Sequence, residues 1–374
     1  MQTRERNALE KKMQKVLENL ETLRRPSGAF IAAPTEDYSF LWLRDLLYIV
    51  FSYYYLWAST KNPEYYEKLV TGMNVAFNLF HKHRHKLERV NYTASPIYDY
   101  LHAKYEKDTL AEVTEEWGHH QLDNVGLFLH IVADLDFKNI KDVVRDEGDR
   151  EILQLLVFYL LNVQYWNKPD FGMWEECFIR HSSSVGACVG GLSYIKRRGL
   201  AVVPDELISR GRNELLRILP QESQDRCSKA HHYHDCDVAQ LSLEWPYKIV
   251  DNKMADLILS RIIEGHKAPD GSFHQLVQSH GINRYWGDDY YRSKKDGASA
   301  QWQWDFWVSI VYSQRHDIER ALSWFKRGVE RITRDGYVAE AYVDGEPNDH
   351  TPLAWMHAMA LIAWEKIKGE AGTS

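Results

Sequence analysis

The chain has 374 residues, with 46 basic and 53 acidic side chains, and 44% of its residues are hydrophobic. This composition is close to that of soluble globular proteins and excludes disordered and fibrous structure. The net charge of −7 argues against a nucleic-acid partner or an anionic membrane. Glycine (21) and proline (11) are scarce, whereas 13 Trp and 22 Tyr are present, which favours a site for flat, partly apolar ligands.

Apolar residues recur at helical spacing along most of the chain, and no long alternating run indicates a strand. Asn62-Pro63-Glu64 and Thr351-Pro352 are typical helix starts. No linker rich in Pro, Gly or Ser divides the chain, so residues 1–374 are expected to form a single domain. The predicted helices lie near residues 3–25, 43–59, 62–86, 117–136, 147–165, 182–198, 204–218, 236–248, 251–266, 299–313, 316–333 and 351–367.

These helices alternate in character. Even-numbered ones, such as that at residues 43–59, are apolar on all sides, whereas odd-numbered ones, such as that at residues 316–333, carry a charged face. A helix that is apolar all round is buried, and one with a charged face lies outside. About six such pairs predict an all-α (α/α)6 barrel, in which six helical hairpins close into a toroid. The alternative is an irregular all-α domain.

A cluster of aromatic and charged residues precedes or begins each predicted inner helix. Parallel inner helices would bring these clusters to one end of the barrel, where unpaired backbone N–H groups also point. Convergent polar groups around an aromatic cavity predict a binding site there. The clusters are Trp42 to Asp45, Trp117 to Asp123, Trp174 to Glu176, His234 to Asp237, Arg284 to Asp289 and the segment around Glu340.

Three carboxylates in these clusters are candidates for proton transfer. Glu175 and Glu176 follow Trp174 in a turn-rich loop. Partial burial beside an indole raises the pKa of a carboxyl group, so that it stays protonated at neutral pH as a general acid must. The alternative is a pair of solvated loop glutamates. Glu340 lies among small and aromatic residues, an unusual setting for an exposed carboxylate.

Paired polar residues recur at the same place in the predicted barrel. Arg44-Asp45 could cap a helix N-terminus, or it could form a fixed pair that binds vicinal sugar hydroxyls. Each pair alone is weak evidence for a sugar-binding site, but the recurrence of such pairs at the same place favours the sugar-binding interpretation. The other two pairs are Gln121 with Asp123 and Arg284 with Asp288.

Other features concern location and cofactors. The charged start lacks the apolar run of a signal peptide, and the uncharged stretches at residues 46–60 and 152–167 are too short to span a bilayer. Four cysteines without CxxC spacing predict a reducing, cytoplasmic setting and no disulfide framework. Residues 231–237 contain three histidines, but adjacent histidines rarely converge on one ion, so a polar loop is favoured over a metal site.

Five motifs together resemble glycoside hydrolase family 15, the glucoamylase family. They occur in the family's order and cover about residues 28–364. The resemblance implies an (α/α)6 barrel that cleaves a terminal α-glucosyl bond at the non-reducing end with inversion. The matching segments are Asp37 to Asp45, Trp117-Gly118-His119-His120-Gln121-Leu122-Asp123, Trp174-Glu175-Glu176, Asn283 to Tyr290, and Val338 to Tyr342 with Thr351 to Trp355.

The resemblance also implies a role for individual residues. Glu175 would be the general acid and Glu340 the general base, and neither a metal nor another cofactor would be needed. The expected partner is a small oligosaccharide substrate, and the oligomeric state is left open. Binding of the sugar is implied for Trp42, Arg44, Asp45, Trp117, Gln121, Asp123, Trp174, Glu176, Arg284 and Asp288.

A second resemblance is to the glucoamylase-like domain of phosphorylase kinase α and β subunits, carried by residues 101–105, 169–172 and 181–186. It implies the alternative function, a weakly active or inactive glucan-binding regulatory protein. Glu176 stands where that group usually has arginine, which favours an active hydrolase. Another α-toroid enzyme is the third possibility.

The expected substrate is a short soluble oligosaccharide, because the resemblance includes no β-sandwich and no starch-binding module. Trp286-Gly287 replaces the family's proline-glutamate. Linkage preference is therefore left open among α-1,4, α-1,6 and the α,α-1,1 bond of trehalose.

Overall fold

The computed structural model describes residues 3–90, 99–227, 234–268 and 270–371. Three short 3-10 helices cover Glu36–Tyr38, Lys141–Val143 and Val238–Leu243. The α-helices are α1 (Thr3–Thr22), α2 (Leu43–Thr60), α3 (Pro63–Lys82), α4 (Arg84–Leu87), α5 (Leu122–Phe137), α6 (Glu147–Asn162), α7 (Ser182–Arg198), α8 (Asp205–Ile218), α9 (Asn252–Ile263), α10 (Asp305–Gln314), α11 (Ile318–Val329) and α12 (Ala354–Ala371).

Inner and outer elements alternate along the described chain. The inner ring consists of α2, α5, α7, the 3-10 helix Val238–Leu243, α10 and α12, and each packs against the next until α12 meets α2. The outer elements are α1, α3, α6, α8, α9 and α11, each of which precedes an inner one. The predicted (α/α)6 barrel is therefore confirmed.

Burial explains which helices lie inside. Every residue from Leu43 to Tyr53 in α2 is buried, whereas α11 buries only Ala321, Phe325 and Gly328, one stripe at helical spacing. Each fully buried large apolar side chain contributes about 1.5–3 kcal/mol. Within the described ranges no helix is long and apolar enough to cross a membrane.

Glycines allow α5 and α7 to pack closely. A Cβ on Gly126 of α5 would lie 2.3 Å from the carbonyl carbon of Ala187 in α7. A Cβ on Gly191 would lie 2.4 Å from the carbonyl oxygen of Gly126. No side chain fits at either position, so the two inner helices approach through their backbones.

The fourth inner element differs from its prediction. The expected helix at residues 236–248 is a 3-10 helix limited to Val238–Leu243. Asp237 caps it, since its carboxylate accepts a hydrogen bond from the Ala239 N–H at 2.7 Å. Pro246 follows closely, and proline cannot donate the hydrogen bond that would continue a helix.

Short strands, which were not predicted, surround the end of the barrel where the inner helices begin. Five consecutive strands, from Val277–Gln278 to Glu346–Pro347, form one antiparallel sheet in sequence order. With two or three residues each, they are too short to show alternation in the sequence. The strands are β1 (Leu41–Trp42), β2 (Lys104–Tyr105), β3 (His266–Lys267), β4 (Phe273–His274), β5 (Val277–Gln278), β6 (Gly281–Ile282), β7 (Gln301–Trp302), β8 (Ala341–Val343) and β9 (Glu346–Pro347).

Candidate active site

A cavity of about 660 Å³ lies at the end of the barrel where α2, α10 and α12 begin. It is bordered by aromatic rings and by several of the charged groups expected from the sequence. The predicted residues that line it are Trp42, Arg44, Asp45, Trp117, Trp174, Glu175, Glu176, Arg284 and Glu340. Gln121, Asp123 and Asp288 lie behind this wall, hydrogen-bonded to the two arginines.

The Glu175 carboxylate is held by two indoles. It accepts hydrogen bonds from Trp42 Nε1 at 3.0 Å and from Trp117 Nε1. Arg44 Nη1 lies 3.7 Å from Glu175 Oε1. Burial nevertheless raises the pKa of Glu175, because these donors offset the lost solvation only in part.

The backbone at Glu175 is constrained. Its φ is +67°, in the left-handed region that non-glycine residues seldom occupy. A Cβ on Gly118 would lie 2.3 Å from the Glu175 carbonyl oxygen. The loop before α5 thus supports this strained turn from behind, an arrangement typical of functional positions.

Glu340 directly precedes β8 and accepts three hydrogen bonds. The donors are Tyr38 Oη at 3.0 Å, Tyr291 Oη at 3.1 Å and Asn348 Nδ2 at 2.7 Å. The residue is only 6% exposed. Burial raises the pKa of Glu340, while the three donors act in the opposite direction.

Asp45 is a third carboxyl group on the cavity wall, and it is buried. Within the described ranges no other side chain donates a hydrogen bond to it. Burial, together with the nearby Glu175 and Glu340 carboxylates, raises the pKa of Asp45 to about 7, although Arg44 opposes this shift. Three carboxyl groups therefore share one poorly solvated cavity, where ionisation of one group disfavours ionisation of the others.

Each of the two predicted arginines is fixed by a carboxylate behind it. Arg44 donates from Nε to Asp123 at 2.8 Å and from Nη2 to Gln121. Arg284 donates to both Asp288 oxygens, at 2.8 and 2.7 Å. It also donates to Glu176 at 2.7 Å. Such bidentate pairs keep the remaining donors in a defined orientation towards the cavity.

A buried lysine lies beneath the two indoles that hold Glu175. Lys104 Nζ lies 5.0 Å from the ring centroid of Trp42 and 4.8 Å from that of Trp117. It also lies 4.4 Å from the Phe40 ring and pairs with Glu115. These cation–π contacts help to fix both indoles.

Several lining residues were missed in the sequence. Tyr38 falls inside the first motif, but only Trp42, Arg44 and Asp45 were selected from it. Trp302 and Trp304 line the cavity just before α10, which is the pattern used to find the other clusters. Trp286, from the cluster at Arg284 to Asp289, is not among the residues that line the cavity, and its ring stacks on His274 with centroids 4.8 Å apart.

Two cysteines, one of which lines the cavity, are paired, whereas the spacing of the four cysteines indicated no disulfide framework. Cys177 follows Glu176 directly and forms a disulfide with Cys227, 50 residues further along the chain. Cys188 and Cys236 are free and buried. A pairing across such a distance has no local signature in the sequence.

Two groups in the described ranges have metal-ligating atoms within 4.8 Å of one another. One consists of Cys177, Cys227 and His234, and the other of Asp235, His266 and His274. His231, His232 and Tyr233 of the predicted polar loop lie outside the described residues. His234 and Asp235, from the same segment, each belong to one group.

The family model for glycosyl hydrolases family 15 matches residues 8–357. The chain belongs to glycosyl hydrolase family 15. Among solved structures similar to this family-15 chain, a wild-type glycosidase has a TM-score of 0.75 at 17% identity, over 98% of this chain and 99% of that chain. Glucoamylase from Saccharomycopsis fibuligera has a TM-score of 0.71 at 16% identity, over 98% and 96%. At these identities the likeness shows the shared fold.

This family-15 chain is also similar to curated regulatory proteins. The probable phosphorylase b kinase regulatory subunit alpha of Drosophila melanogaster is 31% identical over 166 residues, which are 40% of this chain and 13% of that protein. The liver isoform of this subunit from Oryctolagus cuniculus is 25% identical over 288 residues, which are 68% of this chain and 22% of that protein. The chain thus spans less than a quarter of either relative, and the predicted similarity to the α subunit is confirmed.

Proposed function

We propose that the protein is an inverting, exo-acting α-glucosidase that releases β-glucose from the non-reducing end of short α-glucosides. The observation that carries this proposal is the presence of two carboxyl groups on the wall of one aromatic cavity, the buried Glu340 and the mostly buried Glu175, whose side chain is 13% exposed. General acid–base catalysis needs one carboxyl group that holds a proton and one that has lost it. Family membership and the glucoamylase fold support the same class of reaction.

In the proposed reaction Glu175 donates its proton to the glycosidic oxygen while the bond between that oxygen and C1 breaks. Glu340 takes a proton from a water molecule, whose oxygen bonds to C1 from the opposite face. The products are β-glucose and the shortened sugar. The protonation states of the two carboxyl groups are then restored by proton exchange with solvent, so the reaction requires no cofactor.

The environments of the two groups support this division of roles. Glu340 accepts hydrogen bonds from three neutral donors, which stabilise the carboxylate that a base requires. Glu175 keeps a raised pKa because of burial. Because Glu175 and Glu340 both raise the pKa of Asp45, full ionisation of all three groups is costly.

The cavity also offers the contacts that a terminal glucose needs. The Arg44 guanidinium is fixed by Asp123, and the Asp45 carboxylate has free acceptor capacity next to it. Together they can bind adjacent hydroxyl groups. The faces of Trp42 and Trp117 supply apolar surface for a pyranose ring. Glu176 and Arg284 also line the cavity, hydrogen-bonded to each other at 2.7 Å, and are assigned to the next sugar.

The test is glucose release from maltose, isomaltose, trehalose and maltotriose. Wild-type protein is expected to release glucose from at least one of them, and Glu175→Gln and Glu340→Gln are each expected to lower kcat by about 10²–10⁴-fold. Glu346→Gln, an exposed carboxylate in the adjacent strand β9, is the matched control and should retain activity. Activity that is unchanged in Glu340→Gln would disprove the proposed base.

The stereochemistry of the product provides a second test. NMR spectra of the first turnovers should show the β-anomer of glucose before mutarotation. The α-anomer as first product would disprove inversion while leaving hydrolysis intact.

The second candidate is a sugar-binding regulatory protein. It is favoured by the similarity to a phosphorylase b kinase regulatory subunit over 68% of this chain. Calorimetric binding of maltotriose by the wild-type protein, with no glucose released from any of the four sugars, would support this candidate over the hydrolase.

A further inference from the structure

Asp235, His266 and His274 form a compact cluster outside the cavity. His266 and His274 face each other across the β3–β4 hairpin, in directly paired positions. His266 Nε2 lies 2.6 Å and His274 Nδ1 lies 3.2 Å from the same oxygen, Asp235 Oδ2. Asp235 and His274 are buried. Two imidazole nitrogens therefore converge on one carboxylate oxygen.

The hydrogen bonds of Ser272 determine where His274 carries its proton. Ser272 Oγ lies 2.5 Å from Asp270 Oδ1 and 2.8 Å from His274 Nε2. Asp270 is exposed, and the hydrogen bonds from Ser272 lower the pKa of Asp270, so its carboxylate only accepts. The single hydroxyl proton is therefore donated to Asp270, and His274 Nε2 must donate to Ser272 Oγ.

This assignment leaves His274 Nδ1 facing a carboxylate. In the neutral ring Nδ1 then carries a lone pair, and it points at Asp235 oxygens 3.2 and 3.3 Å away. Two electron-rich atoms repel each other at this distance. The contact is relieved by a proton on Nδ1, by a proton on Asp235, or by a cation between the ring and the carboxylate.

We propose that Asp235, His266 and His274 bind one divalent transition-metal ion of the zinc class. Neutral imidazole and carboxylate are common zinc ligands, and three protein ligands with a water molecule complete a tetrahedron. Adjacent ligand atoms in such a site are about 3.4 Å apart, because each bond is about 2.1 Å long. His274 Nδ1 already lies near that distance from Asp235, and His266 Nε2 would retract by about 0.8 Å to reach it.

The surroundings of His274 match those of a histidine in known metal sites. A histidine ligand normally donates its other N–H to a polar partner that fixes the ring. For His274 the partner is Ser272, which is itself hydrogen-bonded to Asp270, whereas His266 Nδ1 has no hydrogen-bond partner among the described residues. The His274 ring also stacks on Trp286, two residues after Arg284. A bound ion would therefore brace the loop that carries Arg284, without contacting the sugar.

The first experiment measures binding of zinc alone by calorimetry, with protein treated with chelator and then freed of it. The expected result is one equivalent bound by the wild type and at least a tenfold loss of affinity in His274→Ala and in His266→Ala. His280→Ala, which removes an exposed histidine near the same hairpin, should bind one equivalent like the wild type. Equal zinc binding by the wild type and all three variants would show that zinc binds to other groups on the surface, and this would overturn the proposal.

A milder variant protects the test against misfolding. Ser272→Ala keeps all three ligands and removes only the partner of His274 Nε2, so a 10–100-fold lower affinity is expected. Cobalt gives an independent readout, because four-coordinate Co²⁺ with these ligands absorbs visible light strongly. Nitrogen NMR that shows both His274 nitrogens protonated after zinc is added in excess would overturn the proposal in favour of an imidazolium–carboxylate pair.

Discussion

Asp45 differs from Glu175 and Glu340 because few interactions replace the solvation that its carboxyl group loses on burial. Glu175 has two indole donors and Glu340 has three donors. Asp45, by contrast, has the adjacent Arg44 charge and a backbone hydrogen bond, but no donor from another side chain, to offset its burial. A site that binds sugar hydroxyls needs such an unsatisfied acceptor. Without a bound sugar, this acceptor lowers the stability of the folded protein.

This cost has a predictable pH dependence. Burial raises the pKa of Asp45 to about 7, whereas the unfolded chain has a value of about 3.9. Between these values the folded state binds more protons, so the free energy of unfolding falls as the pH rises. We expect Asp45→Asn to be more stable than the wild type by ~1–3 kcal/mol at pH 8.5 and to show little difference near pH 4.

Urea denaturation at the two pH values measures this difference. Asp289→Asn, which removes an exposed carboxylate from the cavity rim, is the control and should not change stability with this pH dependence. An equal gain for Asp45→Asn at both pH values would exclude the buried charge as its cause.

Gly118 is the second residue with a specific expected effect. Because a Cβ at this position would lie 2.3 Å from the Glu175 carbonyl oxygen, Gly118→Ala must displace the Glu175 backbone. A displacement of about 1 Å costs about 10²-fold in rate, so glucose release should fall by at least this factor. Circular dichroism should remain that of a helical barrel. Wild-type kcat in Gly118→Ala would show that the loop moves without disturbing the acid.

At the scale of elements, the barrel depends on the close contact between α5 and α7. Gly126→Ala would place a methyl group 2.3 Å from the Ala187 backbone. Overpacking of this kind costs about 1–3 kcal/mol, so the free energy of unfolding should fall by that amount. Gly369→Ala in α12 is the matched control, because its Cβ would meet nothing within 4 Å, and alanine favours a helix. Similar stabilities for the two variants would contradict the packing argument.

The helices could be predicted from the sequence because apolar residues recur at helical spacing over many residues in each of them. The continuous apolar run of α2 and the single stripe of α11 both appear in the sequence as patterns. The two-residue strands carry no such pattern, and the shortened element at Val238–Leu243 depends on one proline that was not weighed. Element type was therefore predictable where the pattern was long.

The candidate site was predictable to a similar degree. Residues on helix N-termini, such as Arg44 and Asp123, were found because the same kind of cluster recurs along the chain. Contacts between residues that are far apart in the chain produce no recognisable pattern in the sequence. The Cys177–Cys227 disulfide and the approach of His266 and His274 to Asp235 arise only when the barrel closes.

At the scale of the whole molecule, closure of the ring joins the first and last parts of the chain. α1 packs against α12, Lys12 Nζ donates to the Ile332 carbonyl at 2.7 Å, and the Ala354 N–H donates to the Ala32 carbonyl at 2.8 Å. No inner helix can leave the ring without exposing its neighbours. Unfolding should therefore be cooperative along the whole chain.

Scanning calorimetry tests this expectation together with the predicted single domain. One transition is expected, with a calorimetric enthalpy equal to the van't Hoff enthalpy. Two resolved transitions, or a ratio well above one, would show that part of the chain unfolds independently.

The paired indoles above Lys104 have a photophysical consequence. An excited indole shifts electron density from its five-membered ring to its six-membered ring, so nearby charges change the energy of its emission. Trp42 and Trp117 have the Lys104 ammonium over their rings and the Glu175 carboxylate at their N–H groups. Protonation of Glu175, or a sugar that screens it, alters this local field. The protein therefore carries an intrinsic fluorescent reporter next to its candidate acid.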